Sequence, residues 1–340
     1  MRFALGGYTS ADGGGLGLVS LDHGRLSAPV LVAEAANPSY LVWSAEPRVV
    51  YAVLEGEEGR VGAWWVGDES GANGAPWTAR GERETGGSAP CHLAVSPDGR
   101  FVVCANYGSG SVSVHPVASD GSVGERTDLA QHAGALGPVA DRQDGPHAHQ
   151  VVFAPTGELL SCDLGLDAVI AYDLDGQGRL TEIARSALPA GTGPRHLAFA
   201  PDGQTAWVVG ELASSVTVCR VVGPVLIPLA SLSTRAPEAM GENLAAEILV
   251  SADGKSVLVS NRGDDTVTWF HVEGQSLTPR RTVACGGHWP RLISFGEDES
   301  TVLVTNERSG TVTVLGQTPE GWQVTDSARW PAPTAVAALG

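Results

Sequence analysis

The stretch PCHLAVSPDGRFVVCANYGSGSVSV, residues 90–114, decides the fold of this chain. Two apolar runs flank a Pro-Asp-Gly turn, and a glycine-rich turn then leads into an alternating Ser/Val segment. Turn residues of this kind between short β-prone runs are typical of antiparallel hairpins. Residues 90–114 therefore predict consecutive antiparallel strands joined by tight turns.

The same unit recurs along the chain. Residues 194–218 read PRHLAFAPDGQTAWVVGELASSVTV, and further copies lie around Pro38, Pro146, Ser251 and Pro290. The turns at positions 97, 155, 201, 252 and 297 are separated by 58, 46, 51 and 45 residues. This period suits a propeller blade of four short strands, and helical periodicity is not evident at useful length.

The two ends of the chain complement each other. Residues 3–9, 17–21 and 30–33 look like three strands without an inner strand, and residues 333–339 look like an inner strand without partners. Pairing of residues 335–339 with the strand of residues 3–9 would close a ring and remove its open sheet edges. The sequence therefore predicts an all-β fold, a single domain of residues 1–340 forming a seven-bladed β-propeller of four-stranded antiparallel blades. Six or eight blades are the alternative counts.

The charge balance restricts the possible partners. The chain has 38 acidic residues against 21 Lys and Arg, for a formal net charge of −17. This charge argues against nucleic acid or an anionic membrane as a partner, and no apolar run suggests a signal peptide or a membrane span. The cysteines are scattered without metal-type spacing: Cys91, Cys104, Cys162, Cys219 and Cys285. We expect a cytoplasmic protein with reduced thiols and no cofactor, and the oligomeric state is open.

Propeller topology indicates where a site must lie. The start of each inner strand and the end of the next strand meet at one mouth of the central channel, because the two strands are antiparallel. Six residues before the turn positions stand Cys91, His149, Arg195, Ala246 and Arg291. The second strands end at Glu55, Asn106, Asp163, Glu211, Asn261 and Asn306. Arg262, Arg308, His92, His147 and His196 lie beside these positions.

Arginine, histidine and carboxylate at one mouth predict a site for an anionic, oxygen-rich ligand, since the guanidinium fork suits phosphate and carboxylate. A structural explanation remains open for several residues. The asparagines and Asp163 precede turns and can cap them, while His92 and His196 can be packed neighbours in the strand. A charge near the axis, as at Arg195, Glu211 and Arg262, must be paired or functional. We expect this mouth to be wet rather than part of the packed core.

Nearly the whole chain resembles the 6-phosphogluconolactonase family of seven-bladed propellers, which also includes the fungal carboxy-muconate cyclase. The resemblance rests on the segments GYT (7–9), NPSYL (37–41), PHAH (146–149), DLGLD (163–167), GPRH (193–196) and SNRG (260–263). It implies an active-site set of His149, Arg195, Glu211 and Arg262. The connection of residues 117–145 is the least family-like part, and we expect it to cover the site.

The leading hypothesis is hydrolysis of a sugar lactone, most simply 6-phosphogluconolactone of the pentose phosphate pathway. Glu211 would be the base and His149 the acid, or the two would exchange roles, and Arg195 or Arg262 would stabilise the oxyanion. Four further residues are expected to contact the substrate: His147, His196, Arg291 and Arg308.

Three alternatives remain open. The first is a cycloisomerase that forms a lactone from an unsaturated dicarboxylic acid. The second is a metal-dependent lactonase, in which Ca²⁺ would bind among Glu55, Asn106, Asp163 and Glu211. The third is a non-enzymatic interaction platform, which would carry large exposed apolar patches on its rim.

Overall fold

The computed structural model describes residues 1–9, 14–67 and 75–340. In this part of the chain the regular structure consists of β-strands arranged in seven antiparallel sheets. The all-β, seven-bladed prediction is confirmed. The described residues contain no helix long and apolar enough to cross a membrane.

Each sheet is one blade, and its strands follow one another from the channel outwards. The inner strands of blades 1 to 7 are Pro333–Leu339 (β29), Pro38–Ser44 (β5), Pro90–Val95 (β9), Ala148–Phe153 (β13), Pro194–Phe199 (β17), Leu244–Val250 (β21) and Pro290–Phe295 (β25). The second strands are Arg2–Gly7 (β1), Val49–Leu54 (β6), Phe101–Asn106 (β10), Leu159–Asp163 (β14), Thr205–Gly210 (β18), Ser256–Arg262 (β22) and Thr301–Asn306 (β26).

The outer half of each blade completes the meander. The third strands are Leu16–Asp22 (β2), Arg60–Trp65 (β7), Ser111–Pro116 (β11), Ala168–Leu174 (β15), Ser215–Val222 (β19), Thr266–Glu273 (β23) and Thr311–Thr318 (β27). The outermost strands are Arg25–Leu26 (β3) with Val30–Ala33 (β4), Thr78–Glu84 (β8), Asp128–Gln131 (β12), Leu180–Ala187 (β16), Val225–Ser233 (β20), Ser276–Ala284 (β24) and Gly321–Arg329 (β28). Blade 1 differs from the others because its outermost strand is split in two.

The ring closes where the two ends of the chain meet. Strand β1 pairs with β29 in antiparallel register, from Arg2 opposite Leu339 to Gly7 opposite Pro333. This confirms the predicted pairing of residues 335–339 with the N-terminal strand. Each inner strand packs against the inner strands of the two adjacent blades, so the ring is continuous.

The hydrophobic core lies between neighbouring blades. The largest fully buried side chain, Trp207 of blade 5, packs in one cluster with Ile248 and Phe270 of blade 6. Similar clusters join other adjacent blades. Because this packing stabilises the flat faces of the sheets, the channel mouth is left for polar side chains.

A β-bulge stands at the start of every inner strand and shapes the mouth. In each blade the register against the second strand shifts there, as between Pro194 and Leu197 in blade 5. A bulge places extra residues opposite one partner and re-aims their side chains. The residues at these shifts include Ser39, Cys91, His149, Arg195, His196, Ala246, Glu247, Arg291 and Thr334.

Candidate active site

Two arginines from different blades meet one carboxylate at the mouth. Arg262 Nη2 lies 2.6 Å from Glu211 Oε2, and Arg195 Nε lies 3.1 Å from the same oxygen. Glu211 follows β18, Arg262 ends β22, and Arg195 stands in the bulge of β17. The propeller therefore joins residues that are up to 67 positions apart in sequence.

The expectation of a wet mouth is wrong for the four family-implied residues. Their relative exposures are 5% for His149, 3% for Arg195, 2% for Glu211 and 5% for Arg262. Such burial is tolerable because the charges are paired: a buried charge without a partner is strongly destabilising. The ion pairs thus belong both to the site and to the stability of the fold.

A third arginine comes from the connection between β12 and β13, and the sequence analysis did not find it. Arg142 Nη2 donates to Glu211 Oε1 at 2.6 Å and to the hydroxyl of Tyr107 at 3.3 Å. The predicted connection of residues 117–145 contains strand β12, and the part after that strand brings Arg142 to the site. We call Arg142, Arg195, Glu211 and Arg262 the Glu211 cluster; its formal charge is +2.

The three guanidinium groups control the ionisation of Glu211. Burial alone would raise its pKa, but Arg262, Arg195 and Arg142 outweigh that effect and lower the pKa to about 2. Burial and the nearby charge of Arg262 lower the pKa of Arg195 to about 10, against the attraction of Glu211. Glu211 is therefore a carboxylate at neutral pH and a weak base, and it holds the arginines in place.

His149 is held in its neutral form at the mouth. Burial, followed by the charges of Arg195, His196, Arg291 and Arg262, keeps its pKa well below the usual value, so the imidazole is neutral at pH 7. Its ring centroid lies 5.2 Å from that of His196, and among the described residues its Nδ1 has no hydrogen-bond partner. A neutral histidine with an available nitrogen can take a proton from water.

The other half of the mouth has the opposite charge balance. Arg291 Nη1 lies 3.3 Å from Glu307 Oε2, and Arg291 Nη2 lies 4.0 Å from Glu55 Oε2. The hydroxyl of Tyr8 donates to Glu55 at 3.0 Å, and the guanidinium of Arg291 lies over the Tyr8 ring. We call Tyr8, Glu55, Arg291 and Glu307 the Glu55 cluster; its formal charge is −1.

A cleft of about 730 Å³ opens beside the Glu211 cluster. Arg308 stacks on the indole of Trp289, with Cζ 3.3 Å from the ring centroid, and Arg262 lies over the same ring at 5.7 Å. Arg235 also lines the cleft but is bound in bidentate fashion by Asp264, at 2.7 Å for each contact. The cleft thus offers cationic groups next to a flat aromatic surface.

The two remaining histidine candidates have protein partners. His147 Nδ1 lies 2.9 Å from the carbonyl oxygen of Tyr107, and its Nε2 lies 2.9 Å from Asp144 Oδ1. His196 Nδ1 lies 2.9 Å from Oε1 of the buried Glu247. These contacts place His147 at the rim and His196 below the mouth.

Among the residues at the ends of the second strands, the turn-capping explanation holds for Asp163, whereas the asparagines bond to hydroxyl groups of the adjacent strand. Asp163 Oδ1 accepts the N–H groups of His147 and Leu166, each at 2.9 Å. Asn261 and Asn306 bond to threonines of their own blades. Within residues 1–9, 14–67 and 75–340, no three His, Cys, Asp or Glu side chains are grouped to hold a metal ion.

Comparisons with known proteins agree with this geometry. The family model described as "Lactonase, 7-bladed beta-propeller" matches residues 2–338. A 6-phosphogluconolactonase of Bacillus subtilis is 32% identical over 330 residues, covering 94% of this chain and 92% of that protein. A solved structure from Lactobacillus plantarum has a TM-score of 0.91 and 31% identity, covering 98% of both chains. The Pseudomonas aeruginosa periplasmic gluconolactonase PpgL has a TM-score of 0.90 and 28% identity, covering 100% of this chain and 99% of that one.

Proposed function

The chain belongs to the seven-bladed β-propeller lactonase family and is a lactone-hydrolysing enzyme, and we propose that its substrate is 6-phosphogluconolactone. One observation carries the proposal: three arginines surround an ionised carboxylate beside a neutral histidine. The net positive charge of this cluster suits an anionic substrate and the oxyanion that forms when water attacks the ring carbonyl.

In the proposed reaction, His149 accepts a proton from the attacking water. The water oxygen bonds to the carbonyl carbon, and Arg195 stabilises the resulting oxyanion. Arg195 suits this role because it is buried at the mouth and, among the described residues, its Nη1 has no hydrogen-bond partner. The ring C–O bond then breaks, and the leaving oxygen takes a proton from His149.

Glu211 has a different role in this scheme. With a pKa of about 2 it is a poor general base, so we assign the proton transfer to His149 and the positioning of the arginines to Glu211. This scheme differs from both role assignments that the sequence left open, because Glu211 would transfer a proton in each of them, whereas here His149 both accepts and returns the proton. Arg262 and Arg142, which contact Glu211, complete the cationic wall.

For the phosphate we propose the cleft that contains Arg308 and Trp289. Arg308 stacks on the indole, while Arg291 lies between two carboxylates and is less available to an anion. His147 and His196 would support the substrate-binding residues around them. The product would be 6-phosphogluconate of the pentose phosphate pathway, and we propose a cytoplasmic location, with which the five free, buried cysteines agree.

The test is hydrolysis by the purified protein of 6-phosphogluconolactone and of the unphosphorylated δ-lactone, after subtraction of the spontaneous rate. We expect faster turnover of the phosphorylated lactone and a loss of about 10²–10⁴-fold in His149→Asn. Conversion of an unsaturated dicarboxylic acid to a lactone, with no hydrolysis of sugar lactones, would instead identify a cycloisomerase. His23→Asn is the control, because His23 is exposed in the turn between β2 and β3, outside the cluster.

A further inference from the structure

A second group of titratable side chains extends from His149 to positions below the mouth, and its other members take no part in the proton transfer proposed above. Each member comes from a different inner strand. We call the group the axial cluster: Tyr40, His92, His149, His196 and Glu247. Ring centroids are 3.9 Å apart for Tyr40 and His92, 5.1 Å for His92 and His196, and 5.2 Å for His196 and His149.

The bulges explain how this cluster forms. In blades 5 and 6 the register shift spans two residues, Arg195 with His196 and Ala246 with Glu247. His196 and Glu247 are thereby brought together, with 2.9 Å between Nδ1 and Oε1. The amide of Ile248 also donates to this Oε1 at 3.0 Å, which fixes the carboxyl group.

Several buried polar atoms of the axial cluster have no hydrogen-bond partner among the described residues. They are both ring nitrogens of His92, Nδ1 of His149, Nε2 of His196 and Oε2 of Glu247. Buried polar atoms of folded proteins are nearly always hydrogen-bonded, to protein or to ordered water. The buried unpartnered atoms of Glu247, His196 and His149 belong to residues that contact one another in that order, and atoms of this kind are the usual binding sites of ordered water.

We propose that His196 and Glu247 form a proton relay behind His149, with Glu247 as the final acceptor. This inference rests on the proposed function, because it needs His149 to take a proton from the attacking water. The proton on His149 passes through bridging water to Nε2 of His196, while the Nδ1 proton of His196 passes to Glu247. No electron is gained or lost. The proton returns along the same path to His149, which gives it to the leaving ring oxygen, and the carboxylic acid of the product then releases its own proton to solvent.

The charge distribution provides the reason for a relay. A proton that stays on His149 makes an imidazolium beside Arg195, Arg291 and Arg262, whose charges already lower the pKa of His149. A proton that reaches Glu247 neutralises a carboxylate, so no new positive charge remains beside the arginines. Burial raises the pKa of Glu247 to about 7, against the opposing influence of Arg195, so this group can bind and release a proton near neutral pH.

The charged and titratable neighbours of Glu247 come from the inner strands around it. They are Tyr40 on β5, His92 on β9, and Arg195 and His196 on β17. Arg291 lies on β25, the other inner strand packed against β21. Burial keeps the pKa of each of the three histidines of the axial cluster well below its usual value. Glu247 is therefore the member of this group that we expect to titrate near neutrality.

The decisive experiment compares the pH dependence of kcat in wild type, Glu247→Gln and Glu247→Asp. Glutamine keeps the shape but cannot accept the proton, so kcat should fall by about 10²-fold and lose its inflection near pH 7. Aspartate keeps an ionisable carboxyl group and should restore an inflection at a shifted pH. Equal profiles in wild type and Glu247→Gln would overturn the relay.

A matched control separates the relay from a structural role. His132 and Asp163 form another buried histidine–carboxylate pair, with 2.6 Å between Nδ1 and Oδ2, outside the axial cluster. His132→Gln should lower stability, as His196→Gln should, but only His196→Gln should change the pH profile of kcat. If both variants changed it alike, the relay would be wrong. If wild type hydrolysed no lactone, the proposed function itself would fall, and the relay with it.

Discussion

The mouth of the propeller contains two charged clusters built on the same repeat position. Glu55 follows the second strand of blade 2, and Glu211 follows the second strand of blade 5. Glu211 lies against three arginines, so its cluster has a formal charge of +2. Glu55 shares Arg291 with Glu307, and its cluster has a charge of −1.

This difference shows that an equivalent place in a repeat does not determine a side chain's role. The partners determine it, and the partners come from other blades and from the connection that contains Arg142. The mouth is therefore polar from one half to the other. An anionic substrate is expected to direct its charge towards the Glu211 cluster and its hydroxyl groups towards the Glu55 cluster.

The largest expected effect on activity and stability is that of neutralising Glu211, and neutralising Glu55 provides the comparison. Glu211→Gln removes the shared anion of three arginines, two of them almost fully buried, and should reduce kcat by about 10²–10³-fold. Stability should fall by about 3–5 kcal/mol, since unpaired buried charges remain. Glu55→Gln leaves Arg291 paired with Glu307, so its effects should be much smaller. Steady-state kinetics measures kcat of the two variants, and urea denaturation measures their free energy of unfolding.

Added sulfate provides the control for this comparison. A divalent anion can bind in the adjoining cleft, which Arg142 and Arg262 line, so sulfate should restore part of the stability of Glu211→Gln. Sulfate should stabilise Glu211→Gln more than it stabilises Glu55→Gln. Equal losses of activity in the two variants would show that the two halves of the mouth are equivalent, against the charge difference described above.

Acid should weaken the Glu211 cluster in a defined pH range. The pKa of Glu211 is lowered from 4.5 to about 2, so its stabilising contribution is complete above about pH 4.5 and is lost as the pH falls through 2. The stability difference between wild type and Glu211→Gln should therefore shrink by about 2 kcal/mol from pH 6 to pH 3. Urea midpoints at several pH values measure it. A difference that stays constant would contradict the lowered pKa.

A smaller effect is expected from Arg308, at the edge of the positive half. Arg308→Ala should reduce kcat/KM for 6-phosphogluconolactone by about tenfold, through loss of a charge-assisted contact to phosphate. The unphosphorylated lactone should be affected less. Arg235→Ala is the matched control in the same cleft, because Asp264 already binds that guanidinium. Equal losses with both lactones would place the phosphate elsewhere.

The smallest effect is expected from metal removal. Glu55 accepts from Tyr8 and lies near Arg291, and Asp163 accepts backbone N–H groups, so these residues have partners of their own. Exhaustive dialysis against EDTA should leave kcat unchanged. If EDTA abolished activity and Ca²⁺ restored it, a cation would be bound at the Glu55 cluster, and that cluster would no longer be the negative half of the mouth.

Much of the site was accessible from the sequence because of the repeats. The position six residues before each turn contained His149, Arg195 and Arg291, and the structure shows that it falls in the bulge of each inner strand. The repeat period identified the position without any knowledge of the bulge. The bulge is the physical reason why polar side chains at this position reach the channel mouth.

Two residues that the sequence did not identify, Arg142 and Glu247, lie outside the repeat positions from which the site was predicted. Arg142 belongs to the connection between β12 and β13, which is longer than its counterparts in the other blades, although its charge was informative in a chain with only 21 basic residues. Glu247 stands one residue after the expected position, which holds Ala246. The two-residue register shift of blade 6 includes Glu247, and a strict alternation of strand residues does not predict this.

The sequence by itself determined the blades, their order and the closing of the ring, because turn residues and strand periodicity act over a few residues and repeat along the chain. Only the tertiary structure decided which charges meet. Arg142 and Arg262 lie 69 and 51 positions from Glu211, and they contact it because the closed ring brings distant strands to one mouth. Burial and the surrounding charges together then shift the pKa values: the arginines lower that of Glu211, while burial lowers that of His149 and raises that of Glu247.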